Sequence, residues 1–215
     1  MPKRRKVNNL LALAVLSALA QRPMHPYEIA TTLRGQGKDQ DMDIKWGSLY
    51  TVVRNMDKHG LIAAVESARE GRRPERTVYR ITDAGRAEMA DWARELISTP
   101  IKEHPRFRAG LSVLAVLHPD EATSLLGQRL DLLEGSISAA RDALTEYVQQ
   151  LPRLFLVESE YDLAIQEAEA AWIRSLLAEL TSGAYPGLDV WRAFHEAGEM
   201  PPELVELAER TRSTE

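Results

Sequence analysis

The residue types that carry catalysis are thinly spread along this 215-residue chain. Cysteine is absent, which removes disulfides, thiolate zinc sites, iron–sulfur clusters and a thiol nucleophile. The five histidines, His25, His59, His104, His118 and His195, never fall at metal-ligand spacing. There is no Gly-rich phosphate loop and no Gly-x-Ser-x-Gly elbow. Glu158, Glu160, Glu167 and Glu169 read as a solvated helix face rather than an acid–base pair. Together these point away from an enzyme and from any metal or organic cofactor. The cations are different. Four arginines, Arg69, Arg72, Arg73 and Arg76, crowd into residues 68–76 around Gly71 and Pro74. A guanidinium fork chelates phosphate or base edges, so the chemistry on offer is recognition of a polyanion.

Charge distribution agrees. The net charge is −5, yet up to Arg86 there are sixteen Lys/Arg against nine Asp/Glu, and beyond it eleven against twenty-three. A basic half joined to an acidic half fits two jobs, one of which meets nucleic acid. The apolar run 10–20 is too short for a membrane span, and its flanks lack a small-residue cleavage site. A buried helix and a cytoplasmic protein with no membrane partner are the expectation.

The elements that must hold the arginines follow from periodicity. Asn8 and Asn9 can cap a helix over 10–21 that is apolar nearly all round. A short helix over 27–34 offers Tyr27, Ile29, Ala30 and Leu33 for packing. A third, over 46–59, carries Leu49, Val52, Val53 and Met56 on one face, with Gly60 at its end. Its other face presents Thr51, Arg54, Asn55 and Lys58, flanked by Ser48 and Tyr50 and preceded by Lys45. Asp57 is the single nearby acid. Solvated helices usually mix Glu with Lys, so this acid-poor face suits phosphate and base-edge contact, with Arg54 expected at a base edge. Strands over 61–67 and 77–82 bracket the arginine loop. Three helices followed by an arginine-tipped hairpin describe a winged helix. Its third helix enters the major groove, while Arg72, Arg73 and Arg76 grip the flanking backbone or minor groove.

Three stretches carry a family likeness: LLALAVLSALAQRPMHPYEIA (10–30), IKWGSLYTVVRNMDKHGLI (44–62) and EGRRPERTVYRITDAG (70–85). In order and spacing they resemble the PadR-type bacterial transcriptional regulators. Pro26 departs from the glycine usual in that family, which restrains the start of the second helix without touching the reading face. The resemblance implies a bacterial repressor binding double-stranded DNA. The run Pro-Lys-Arg-Arg-Lys-Val at 2–7 has the form of a nuclear localisation signal, but beside such a regulator it reads as a basic arm brushing phosphates or an idle solvated tail.

The acidic half reads as a pairing arm. A helix over 84–96, opened by Asp83, leaves the wing, and a short apolar helix over 107–117 follows. From His118 a long helix carries Leu126, Leu130, Leu133, Ile137, Ala140, Leu144, Tyr147 and Leu151 at alternating four- and three-residue spacing, a heptad seam that needs a partner. Pro152 turns the chain into a helix over 154–181. Leu126, Leu130, Leu133, Ile137, Leu144 and Leu151 are the candidate dimerisation residues, because two helices alone cannot close a core. This half resembles the helical C-terminal domain of the larger, virulence-activator-like regulators. The resemblance also implies a small hydrophobic or phenolic effector, for which Trp92, Phe155 and Trp172 are candidate ligand-binding residues as well as candidate core. The tail 188–215 is left open between a further packed helix and fraying.

The fold expected is mainly α with a small β-hairpin: an N-terminal winged helix-turn-helix domain (8–98) and a C-terminal antiparallel long-helix dimerisation domain (100–215). The function expected is a homodimeric DNA-binding regulator on an inverted-repeat operator. The other reading is a winged-helix protein-interaction module without specific DNA binding, which would not need the cationic helix face and arginine loop.

Overall fold

The computed structural model describes residues 5–38, 42, 44–65 and 77–197. Its chain falls into two units, 1–102 and 103–215.

In the first unit, helix α1 (Leu10–Gln21) holds no charged side chain and is surrounded by its neighbours. The Asn9 side chain caps it, accepting from the Leu11 amide at 2.8 Å. Leu11, Val15, Leu16 and Leu19 are fully or almost fully buried. Helix α2 (Pro26–Gly35) contributes Ile29 and Leu33 to the same core. The third expected helix divides in two, a 3-10 turn Trp46–Ser48 and then α3 (Leu49–Lys58). Leu49, Val52, Val53 and Met56 are buried against α1 and α2.

Strands β1 (Ile62–Val65) and β2 (Val78–Ile81) pair antiparallel, Ile62 opposite Ile81 and Val65 opposite Val78. β1 begins one residue after the expected start at Leu61, and β2 leaves out Thr77 and Thr82 of the expected 77–82. Residues 66–67 of the first reading lie outside the described residues. A third bridge was not anticipated: Met24 and Tyr79 exchange both backbone hydrogen bonds, at 3.0 and 2.9 Å. Helix α4 (Asp83–Ser98) is capped by Thr82, one residue before the expected Asp83, because the hydroxyl reaches the Gly85 amide at 3.0 Å.

In the second unit, α5 (Arg106–Leu111) ends early and a 3-10 turn, Leu114–Val116, replaces the rest of the expected 107–117 helix. Helix α6 (Pro119–Tyr147) stops four residues short of Leu151. Pro152 disfavours helical backbone at the residue before it, and a turn closes instead, with the Leu151 amide on Tyr147 O at 2.8 Å. After a 3-10 turn at Arg153–Phe155, α7 (Val157–Ser182) returns along α6 and ends at Gly183, whose φ is +78°. The pair is tied by Arg129–Glu169, Arg174–Glu134 and Arg141–Glu167 ion pairs and a Ser136–Gln166 hydrogen bond. Leu126, Ile173, Leu180 and Leu188 form the buried centre, with Leu130 and Leu133 packed on it.

Helix α8 (Leu188–Ala197) settles part of the open tail. It docks near the start of α6 through the Trp191 indole N–H on Leu117 O (3.0 Å) and Arg192 on Asp120 (3.4 Å). Residues 198–215 lie outside the described residues. Among those described, no helix is long and apolar enough to cross a membrane.

Candidate nucleic-acid interface

Burying four apolar residues of α3 forces its other side outward. Tyr50, Thr51, Arg54, Asn55 and Lys58 are all exposed, and Asp57 is the one acid on the helix. Lys45 is exposed just ahead of the 3-10 turn, where Ser48 is half-buried and its hydroxyl donates to Lys45 O at 2.7 Å. The Arg34 guanidinium lies 4.5 Å from the centre of the Trp46 ring and holds that turn against α2. At the far end Gly60, φ +70°, completes a paired cap: its amide bonds Asp57 O and the Leu61 amide bonds Met56 O, both at 2.9 Å. The helix is thus fixed at both ends while its polar face stays open.

The start of α2 lies beside it. His25 Nδ1 accepts from the Tyr27 amide at 3.1 Å, and Glu28 accepts from the His25 amide at 2.8 Å. The His25 amide, helped by Arg22, holds the Glu28 carboxyl below the usual carboxylate range. Tyr27 is 67% exposed. A cleft of about 440 Å³ opens between α2, α3 and β2, lined by His25, Pro26, Tyr50, Val53, Arg54, Thr77 and Tyr79. Burial, and then Asp57, raise the Tyr79 phenol above its ordinary value, while Arg54 opposes the shift. Sequence reading placed none of His25, Tyr27, Thr77 and Tyr79 at this interface, and Tyr27, expected to pack with Ile29, Ala30 and Leu33, is exposed instead. The signal was present in His-Pro-Tyr-Glu, an N-cap followed three residues later by its capping-box partner.

The remaining candidates are scattered. Arg72, Arg73 and Arg76 lie outside the described residues. Trp92 is 5% exposed and part of the first unit's core, with the Arg5 guanidinium 5.0 Å from its ring centre. Arg5, expected on a solvated arm, is itself buried, paired with Glu88 and Glu95. Phe155 is 62% exposed, and Trp172 is 48% exposed with its ring edge-on to Phe107 at 6.2 Å. Phe155 sits in the 3-10 turn ahead of α7 and Trp172 fifteen residues beyond that helix's first residue, about 22 Å along its axis, so the two rings are too far apart to clasp one small aromatic ligand within a protomer. Of the seam residues, Leu126 and Ile137 are buried, Leu130, Leu133 and Leu144 are half-buried, and Leu151 is exposed. Among the described residues no cluster of His, Asp or Glu could hold a metal ion.

The chain matches the transcriptional regulator PadR-like family over residues 15–91. A probable transcriptional regulator of Mycobacterium tuberculosis is 30% identical over 89 residues, which is 40% of this chain and 44% of that protein. The match thus spans less than half of that relative's length. Three solved structures share the fold. Bacillus subtilis PadR in complex with operator DNA has a TM-score of 0.66 at 20% identity, over 84% of this chain and 99% of that one. Its complex with p-coumaric acid has a TM-score of 0.65 at 20% identity, over 80% and 99%. The Vibrio cholerae virulence activator gives 0.59 at 19% identity, over 80% and 98%. These neighbours are transcriptional regulators rather than enzymes. Residues 15–91 thus match the PadR-like transcriptional regulator family, within a chain that has the fold of the PadR-type winged-helix regulators.

Proposed function

We propose that the protein is a sequence-specific double-stranded-DNA-binding transcriptional repressor of the bacterial cytoplasm, working as a homodimer on an inverted repeat. The observation that carries this is the outward face of α3: Tyr50, Thr51, Arg54, Asn55 and Lys58 exposed together, backed by a rigid apolar core and almost free of acids. Lys45 and Ser48 extend that face at its leading end, and Arg72, Arg73 and Arg76 are assigned to flanking phosphates. The B. subtilis neighbour crystallised on operator DNA supports the same use of the fold.

Pairing is assigned to the second unit. The α6 seam is occupied in large part by α7 of the same chain, yet Tyr161, Ile165 and Trp172 of α7 and Leu132 of α6 stay exposed. Tyr161, Ile165 and Trp172 share one helix face, and a second copy of the chain would cover it. The p-coumaric acid complex of the B. subtilis neighbour supports release by a small aromatic effector. Phe155 and Trp172 are the accessible rings for it, and the distance between them requires that each act with different neighbours.

Binding selection from random duplexes tests the reading. It should recover a palindrome with half-sites about one helical turn, or a multiple of it, apart. Recovery of no preferred sequence would favour the protein-interaction alternative.

A further inference from the structure

The cleft beside α3 has a lining chemistry of its own. His25, Tyr50, Arg54, Thr77 and Tyr79 each bring a polar hydrogen, Pro26 and Val53 supply an apolar floor, and none of the described lining residues is a carboxylate. The helix start is not the source of attraction. Pro26 has no amide hydrogen, the Tyr27 amide is taken by His25 Nδ1, and the His25 amide is taken by Glu28. That bond also places the hydrogen of the neutral imidazole on Nε2. Glu28 is engaged with the His25 amide and Arg22, and Asp57 stands near Tyr79 without lining the cleft. Among the described lining residues the positive charge comes from Arg54.

Arg54 leans to this side of α3. It lines the cleft, and its charge acts on the Tyr79 phenol of β2. At ~100° per residue it sits about 40° round the helix from Tyr50 but about 100° from Asn55. A guanidinium fork with hydroxyl donors around it, on an apolar floor at the edge of the reading face, matches a tetrahedral phosphodiester anion.

We infer that this cleft seats one backbone phosphate of the operator in each half-site, and that Arg54 is committed to that phosphate rather than to a base edge. The inference rests on the DNA-binding reading above. It leaves direct base reading to Thr51, Asn55 and Lys58 and makes Arg54 a residue that sets register.

The test neutralises the DNA rather than the protein. Each phosphate of the selected operator is replaced in turn by an uncharged methylphosphonate, and the full-length protein is titrated by fluorescence anisotropy. One position per half-site should weaken wild type roughly tenfold, and Arg54→Gln should lose a similar factor on unmodified DNA. At that position alone the two losses should not add. Tyr50→Phe and Thr77→Val should show the same non-additivity, more weakly. Losses that add at every position overturn the inference. So does an Arg54→Gln protein that keeps its affinity for scrambled duplex but selects a different base. Inorganic phosphate that displaces operator more than chloride does at equal ionic strength, and does so equally when every position in turn carries the methylphosphonate, overturns the assignment to a backbone phosphate, in favour of a free anion. If wild type binds no duplex, the DNA-binding reading itself fails and the seat falls with it.

Discussion

Thr82 and Gly85 show how much one short segment can decide. The Thr82 hydroxyl donates to Gly60 O at 2.7 Å, with Leu61 O sharing at 3.0 Å, and accepts the Gly85 amide. One side chain thus caps α4 and ties it to the turn that ends α3. Gly85 lies so close that a Cβ there would stand 2.0 Å from Leu61 O and 2.9 Å from Ile81 Cγ1. The obstacle is backbone, so it cannot swing aside. Gly85→Ala should cost about 3 kcal/mol, seen as a lower urea midpoint, while Thr82→Val should cost ~1–2 kcal/mol for the lost cap and tie. The sequence displayed these residues in Tyr-Arg-Ile-Thr-Asp-Ala-Gly but not the reason for them. Spacing along a chain says nothing of a carbonyl twenty-four positions earlier. Arg5 eluded sequence reading for the same reason, since its carboxylate partners lie 83 and 90 positions away. Arg5→Ala should strand those carboxylates beside Trp92 and cost roughly 3 kcal/mol. A melt unchanged by that substitution would return Arg5 to the role of a solvated arm.

At the scale of elements, local grammar was the legible part. The apolar circumference of α1, the stripe of α3 and the glycine at its end all appear where periodicity placed them. Ends were less legible, because a 3-10 turn and the first turn of an α-helix share one residue pattern, as at Trp46–Ser48. The start of α2 offers a pH test. The folded Glu28 carboxyl sits below its ordinary range, chiefly through the His25 amide. Its stabilising contribution is therefore complete above the unfolded carboxylate pKa and is lost as pH falls through the folded value. Wild type should melt above Glu28→Gln at about pH 7, and the gap should close towards about pH 3. A gap that persists in acid would mean the amide bond survives without the charge. In the second unit the heptad spacing was visible but its occupant was not. A seam specifies that something apolar lies opposite, and here α7 of the same chain takes much of the place. Leu126→Ala and Ile137→Ala should accordingly destabilise the unit by ~2–4 kcal/mol, as core truncations do.

At the scale of the whole molecule, the proposed function divides the work between the two halves as their charges foreshadow. A single winged helix reaches only one half-site, and a few base and phosphate contacts give modest affinity. Specificity for a long operator needs two such domains held by one tether, so that the second binds at high local concentration. If the exposed face of α7 supplies that tether, Ile165→Arg with Trp172→Arg should yield a monomer that remains folded. Both side chains are half-exposed in the single chain, so the changes cost its core little. Sedimentation equilibrium should show the wild type at about twice the chain mass of 24.1 kDa and the variant at once that mass. Affinity for the full palindrome should fall by roughly 100-fold or more, while affinity for an isolated half-site should stay close to wild type. The two measurements together carry the argument. A dimeric variant would move the interface elsewhere on the second unit, with the buried seam of α6 still closed by its own α7. A monomer that still binds the palindrome like wild type would detach pairing from operator recognition altogether, and leave each winged helix reading its half-site alone.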